Sequence, residues 1–128
     1  MPRPPDVSRI LVVEDNAANL KLATFLLESA GHEVLTANDA EAAVTLARTE
    51  QPNLILMDIQ LPGMDGLQAT ALLKKDEATA GIPVIALTAL AMKGDEERIR
   101  AAGCDGYIAK PLAYKEFLTT IASYLVPA

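Results

Sequence analysis

The sequence predicts an α/β domain in which five parallel strands form one doubly wound sheet. Two observations predict it. Short apolar runs of strand length, bounded by turn residues, recur along the chain, and longer stretches with helical spacing of apolar residues lie between them. Strands that alternate with helices in this way require a parallel sheet covered on both faces. Each crossover is right-handed. Pattern alone leaves the strand order open, and 2-1-3-4-5 is the usual order for five such units.

Residues 1–8 carry three prolines and read as a short extended tail. Arg9–Glu14 is the first strand. Asn16–Ala30 follows as a helix with Leu20, Ala23, Leu27 and Ala30 on one face, ended by Gly31 at the C′ position. Glu33–Ala37 is the second strand. Asn38 or Asp39 caps a helix through Glu50, with Ala40, Ala43, Val44 and Ala47 facing inward, and Pro52 stops it. The third strand closes at Asp58, and Asp65 can cap a helix to about Lys75. Ile82–Thr88 is the fourth strand; a helix with Glu96, Glu97, Ile99 and Ala102 leads from it to Gly103. Gly106–Ala109 is the fifth strand. Tyr114, Phe117, Leu118, Ile121 and Leu125 form the stripe of a closing helix.

A chain of 128 residues forms one domain that can bury a core without disulfide or metal staples. Its 51% hydrophobic and 22% charged residues argue for a globular fold and against disorder. Net charge is −6 and no basic stripe appears, which argues against a nucleic-acid or anionic-membrane surface. The single cysteine, Cys104, rules out an internal disulfide and suggests a reducing compartment; it reads as a small apolar residue in a turn. The only histidine, His32, stands at a strand entrance, which argues against a thiol protease. Met1–Pro5 has no apolar core like a signal peptide's, and no run approaches membrane-spanning length, so a cytoplasmic protein is expected.

Chemistry-bearing residues gather at strand ends. Asp58 closes the buried run Leu54–Asp58, at the carboxyl end of a strand, where open α/β sheets place their ligand sites. Glu14 and Asp15 close the first run, Thr88 the fourth and Lys110 the fifth. Carboxylates this close repel one another unless a cation is present. Mg²⁺ takes oxygen ligands in an octahedron and keeps several waters; Mn²⁺ could take its place. Glu14, Asp15 and Asp58 could supply such ligands, while Lys110 and Thr88 suit phosphoryl oxygens. Asp is an established phosphoryl acceptor. Taken singly, each residue has a plainer reading: turn or cap residues for the acids and Thr88, a solvated loop lysine for Lys110. Together they converge on one sheet edge.

Val13–Asn16 (Val-Glu-Asp-Asn), Leu56–Gly66, Ala86–Ala89 and Tyr107–Pro111 resemble the signature set of response-regulator receiver domains, the CheY-like family, over residues 9 to about 126. Within it, Ala91–Arg100 followed by Gly103 and Cys104 looks most like a stand-alone cell-cycle regulator. The resemblance implies a flavodoxin/CheY-like fold and a phosphoryl group received by Asp58 from a histidine kinase or a histidine phosphotransfer protein. It implies that Glu14, Asp15, Asp58 and the Gln60 backbone carbonyl bind the metal, and that Thr88 and Lys110 bind phosphoryl oxygens. Tyr107 matches the aromatic switch position, although a tyrosine there could simply pack at the edge. Ala89 matches a position kept small for phosphate access. Gln60 and Leu90 occupy the two positions thought to set the lifetime of the phosphorylated form, and Lys110–Pro111 matches a cis bond. The first acid is Glu where Asp is commoner, which lengthens the arm and could route its contact through water.

The implied protein is a phosphorylation switch that catalyses only its own phosphorylation and dephosphorylation. Phosphorylation would draw Thr88 inward and bias the surface of the last two helices and the fifth strand toward an effector protein. The charged helix over Lys93–Arg100 is either a solvated face or part of that surface. No output domain is expected after the closing helix, and the chain is expected to be a monomer or weak dimer. An excised receiver of a hybrid kinase is the alternative. An aspartyl-phosphate phosphatase is disfavoured because Gln60 holds the place of its acid/base Asp. A flavodoxin-like carrier is disfavoured because Glu14 and Asp15 would repel a flavin phosphate.

Overall fold

A computed structural model describes residues 8–61, 63, 65–88, 93–110 and 112–125. The tail before Ser8, Ala89, Leu90 and the Lys110–Pro111 bond lie outside them. Among the described residues the chain runs β1 (Arg9–Val13), α1 (Ala17–Ser29), β2 (Glu33–Ala37), α2 (Ala40–Glu50), β3 (Leu54–Asp58), α3 (Gly66–Lys75), β4 (Val84–Thr88), α4 (Lys93–Ala101), β5 (Gly106–Ala109) and α5 (Tyr114–Tyr124). The five strands are parallel, in the order β2-β1-β3-β4-β5.

Alternation along the central strands splits the core in two. Leu11, Val13, Ile55, Met57, Val84 and Ala86 pack with residues of α2, α3 and α4. Ile10, Val12, Leu54, Leu56, Ile85 and Leu87 pack with α1 and α5. Both faces are covered, so β3 and β4 are buried at every position and read as unbroken apolar runs. The edge strand β2 is buried only at Ala37.

Local chemistry sets the element ends. Asp39 caps α2 by accepting from the Ala42 N–H at 2.8 Å. Asp65 and Gln68 form a reciprocal capping box at the start of α3. Gly31 follows α1 at φ 93°, the left-handed turn that suits glycine. The exit from α2 differs from expectation. Before Pro52 can act, Gln51 turns left-handed at φ 47°, and its Nε2 donates to the carbonyls of Ala47, Arg48 and Ala78.

Four other expectations are corrected. β1 ends at Val13, although the Glu14 N–H still donates to Ala37 O at 3.0 Å. β4 begins at Val84 instead of Ile82, because Pro83 has no N–H and offers only its carbonyl, to Ile55 N at 2.9 Å. On α1, Ala30 is exposed and Leu26 is buried in its place. On α5, Tyr114 is 57% exposed, so Phe117 and Ile121 carry the buried stripe.

The register fixes where the polar residues emerge. Val13 pairs with Met57, Asp58 with Leu87 and Thr88 with Ala109, so the carboxyl ends of β1, β3, β4 and β5 share one edge. The Lys110 N–H donates to Thr88 O at 2.8 Å and carries the ladder one residue beyond β5.

Candidate functional site

Asp58 is buried at the tip of the most enclosed strand. Its side chain stays fixed because the turn after β3 folds back on it. The Gln60 N–H donates to Asp58 Oδ1 at 2.9 Å. Gly66, the first residue of α3, lies so close that an added Cβ would stand 2.1 Å from the Asp58 carbonyl oxygen. Only glycine allows α3 to begin there.

Lys110 reaches across from the end of β5. Its Nζ donates to Asp58 Oδ2 at 3.1 Å, to Glu14 Oε2 at 3.1 Å and to Glu14 Oε1 at 3.2 Å. Glu14 also accepts from Asn19 Nδ2 at 3.0 Å. Both acids are buried, so one ammonium serves two carboxylates away from water. Burial, and then the hydrogen bond to Asp58, pushes Glu14 up from 4.5 to about 7, against the opposing pull of Asn19 and Lys110. Burial pulls the Lys110 ammonium down, but the bonds and charges of Glu14 and Asp58 outweigh it and hold its pKa above the ordinary lysine value.

Asp15 is exposed beside this pair. Glu14, Asp15 and Asp58 each offer an oxygen within 4.8 Å of the others. Three hard oxygen donors, two of them buried against a single positive charge, suit a divalent cation that prefers oxygen and keeps waters. Gln60 is exposed and joins the site through its backbone. Thr88 is buried at the end of β4, beside the Lys110 backbone. Tyr107 stands apart: half-buried on β5, it packs with the core on the α4 side, and its hydroxyl donates to Glu96 Oε2 at 3.4 Å. Ala89 and Leu90 cannot be placed in the site, since they lie outside the described residues.

Sequence reasoning missed two members of the cluster. Asn19 is the third residue of α1, and Gly66 was read only as the last residue of the Leu56–Gly66 motif. A signal existed for Asn19, because a polar residue three places after a helix cap often bonds backward.

A family model described as the response regulator receiver domain matches residues 10–122. The polar-differentiation response regulator DivK of Brucella ovis is 53% identical over 116 residues, which cover 91% of this chain and 94% of that protein. Among solved structures, the receiver domain of the sensor histidine kinase PA1611 from Pseudomonas aeruginosa, with a magnesium ion coordinated in its active-site cleft, is similar with a TM-score of 0.86. It is 36% identical, over 92% of this chain and 97% of that one. A response regulator from Chloroflexus aurantiacus matches with a TM-score of 0.89 at 26% identity, over 92% of this chain and 97% of that one.

Proposed function

We propose, from the premise that this chain belongs to the response regulator receiver family, that Asp58 accepts a phosphoryl group from a histidine kinase or a histidine phosphotransfer protein. The observation that carries the proposal is the Lys110 ammonium held by Glu14 and Asp58 at the carboxyl edge of the sheet. Two buried acids with one cation make a poor structural staple and a good receptor for a metal and a phosphoryl group.

In the transfer, a carboxylate oxygen of Asp58 forms a bond to phosphorus as the bond from phosphorus to the donor nitrogen breaks. Glu14, Asp15, Asp58 and the Gln60 carbonyl hold Mg²⁺, which when bound offsets the charge gathering on the phosphoryl oxygens. Lys110 gives its ammonium to one of those oxygens as a point charge already in place. Thr88 gives its hydroxyl to another, and Tyr107 responds on the α4 side. By resemblance, Ala89 matches a position kept small for phosphate access, and Gln60 and Leu90 match the two that set how soon water removes the group. The receiver domain spans residues 9–126 after the tail.

The donor protein approaches along α1, which begins beside Asp15 and exposes Leu22 (42%) and Phe25 (60%) to a partner. Output passes through α4, β5 and α5 to an effector protein in the cytoplasm, in the manner of a DivK-like regulator. Among the described residues no helix is long and apolar enough to cross a membrane.

Acetyl phosphate with Mg²⁺ tests the reading by intact mass. One phosphoryl group should appear on wild type and none on Asp58→Asn. Equal labelling of the two proteins, or labelling undiminished by EDTA, would refute it.

A further inference from the structure

Asn19 stands three residues after Asn16, the N-cap of α1, at a position whose side chain ordinarily returns to the N-cap backbone. The first half of that exchange is present: Asn16 Oδ1 accepts from the Asn19 N–H at 3.0 Å. The Asn19 carboxamide goes elsewhere. It passes the cap and donates from Nδ2 to Glu14 Oε1 at 3.0 Å.

That bond matters because of what else holds Glu14. The carboxylate is buried, and its other side-chain donor is the single ammonium of Lys110, at 3.2 and 3.1 Å from its two oxygens. The same ammonium holds Asp58 at 3.1 Å. In the function proposed above it must turn to a phosphoryl oxygen, and its hold on Glu14 then weakens. Among the described residues the Asn19 side chain makes no other hydrogen bond. Being neutral, it satisfies Oε1 without opposing an approaching cation, as a lysine or arginine there would.

We infer that Asn19 is a positioning residue for metal binding: it holds Glu14 Oε1, so that the carboxylate keeps its place in the Glu14, Asp15 and Asp58 cluster when Lys110 leaves. Partners that orient a ligating carboxylate commonly matter nearly as much as the ligand itself. The inference rests on the reading of Glu14, Asp15 and Asp58 as a Mg²⁺ site.

Calorimetric titration with Mg²⁺ alone, with no phosphoryl donor, tests it. Asn19→Ala should bind Mg²⁺ about tenfold more weakly. Alanine is the better helix former, so that loss would not report a melted α1. In acetyl phosphate labelling, the half-saturating Mg²⁺ concentration should rise by a similar factor while the rate at saturating Mg²⁺ stays near wild type. Asn16→Ala is the control for a merely structural role: removing the cap should lower the thermal midpoint and leave Mg²⁺ affinity within about threefold. Asn19→Ala with wild-type affinity, or equal weakening by Asn16→Ala, would overturn this inference while leaving the proposed function intact. Wild type that binds no Mg²⁺ would end both.

Discussion

One cation shared by two acids occurs at both ends of the sheet. At the start of β1, Arg9 reaches Glu50 at 2.9 Å and Glu33 at 3.6 Å, with the side chains 23%, 39% and 51% exposed in that order. At the far end, Lys110 reaches Glu14 and Asp58, both at 3.1 Å, with the acids only 1% and 4% exposed. The charges are alike and the surroundings are not. Water reaches both acids of the Arg9 group, so its ion pairs stabilise weakly. Arg9 Nε is itself buried without a hydrogen-bond partner among the described residues, and a second Arg9 bond, to Glu50 O at 3.1 Å, tethers α2. At the Lys110 end two carboxylates have given up water for half an ammonium each, an arrangement that costs stability unless a further cation arrives. What separates a site from a surface ion pair here is burial of the acids themselves, rather than the presence of charge.

Removing each cation in turn separates the two ends of the sheet most sharply. Lys110→Met should lower the stability of the Mg²⁺-free protein at pH 8 by about 3 kcal/mol, because it leaves two buried carboxylates facing each other. Urea unfolding measures the loss, and added Mg²⁺ should return part of it. An effect no larger than that of the Arg9 variant described below would show that the Lys110 end is as solvated as the other.

A smaller effect follows from the proton on Glu14. Its folded-state value of about 7 exceeds the ordinary 4.5, so the folded protein holds this proton more tightly than the unfolded chain does. The stability it lends is complete below 4.5 and is lost as pH rises through about 7. Mg²⁺ must displace the same proton. Its affinity should therefore climb up to about tenfold per pH unit below 7 and level off above it. Calorimetry at several pH values checks this, and a flat profile between pH 5.5 and 7.5 would show Glu14 already ionised.

The smallest effect belongs to the exposed end. Arg9→Met should cost less than about 1 kcal/mol and leave Mg²⁺ affinity unchanged. Added salt should shrink the difference from wild type, a trend the Lys110 end should show far less.

The same contrast explains what the sequence could reveal. Strand ends were legible because buried parallel strands are continuous apolar runs, and Glu14, Asp58 and Thr88 each stand at the end of one, while Lys110 follows the shorter edge strand β5. Caps were legible at Asp39 and Asp65, because capping is local. Lys110 and Glu14 lie 96 positions apart, and only the order of the strands brings them into contact. Periodicity gave Tyr114 an inward face, but this first residue of α5 is exposed, and the helix turns inward from Phe117. Gly66 escaped notice as a site residue because its role is a close approach to the Asp58 carbonyl, visible only once α3 is docked. The link from the Tyr107 hydroxyl to Glu96 escaped for a related reason: it joins β5 to α4, and no spacing rule connects them.

Thermal unfolding of wild type and Asp58→Asn, each with and without Mg²⁺ at pH 8, tests most directly whether the buried acids await a cation. Replacing one of the two carboxylates by a neutral amide of the same shape should raise the Mg²⁺-free midpoint above that of wild type, by the equivalent of about 2 kcal/mol. Mg²⁺ should then raise wild type strongly and the variant little, closing the gap between them. A variant less stable than wild type without Mg²⁺, together with a wild-type midpoint that Mg²⁺ does not move, would contradict it.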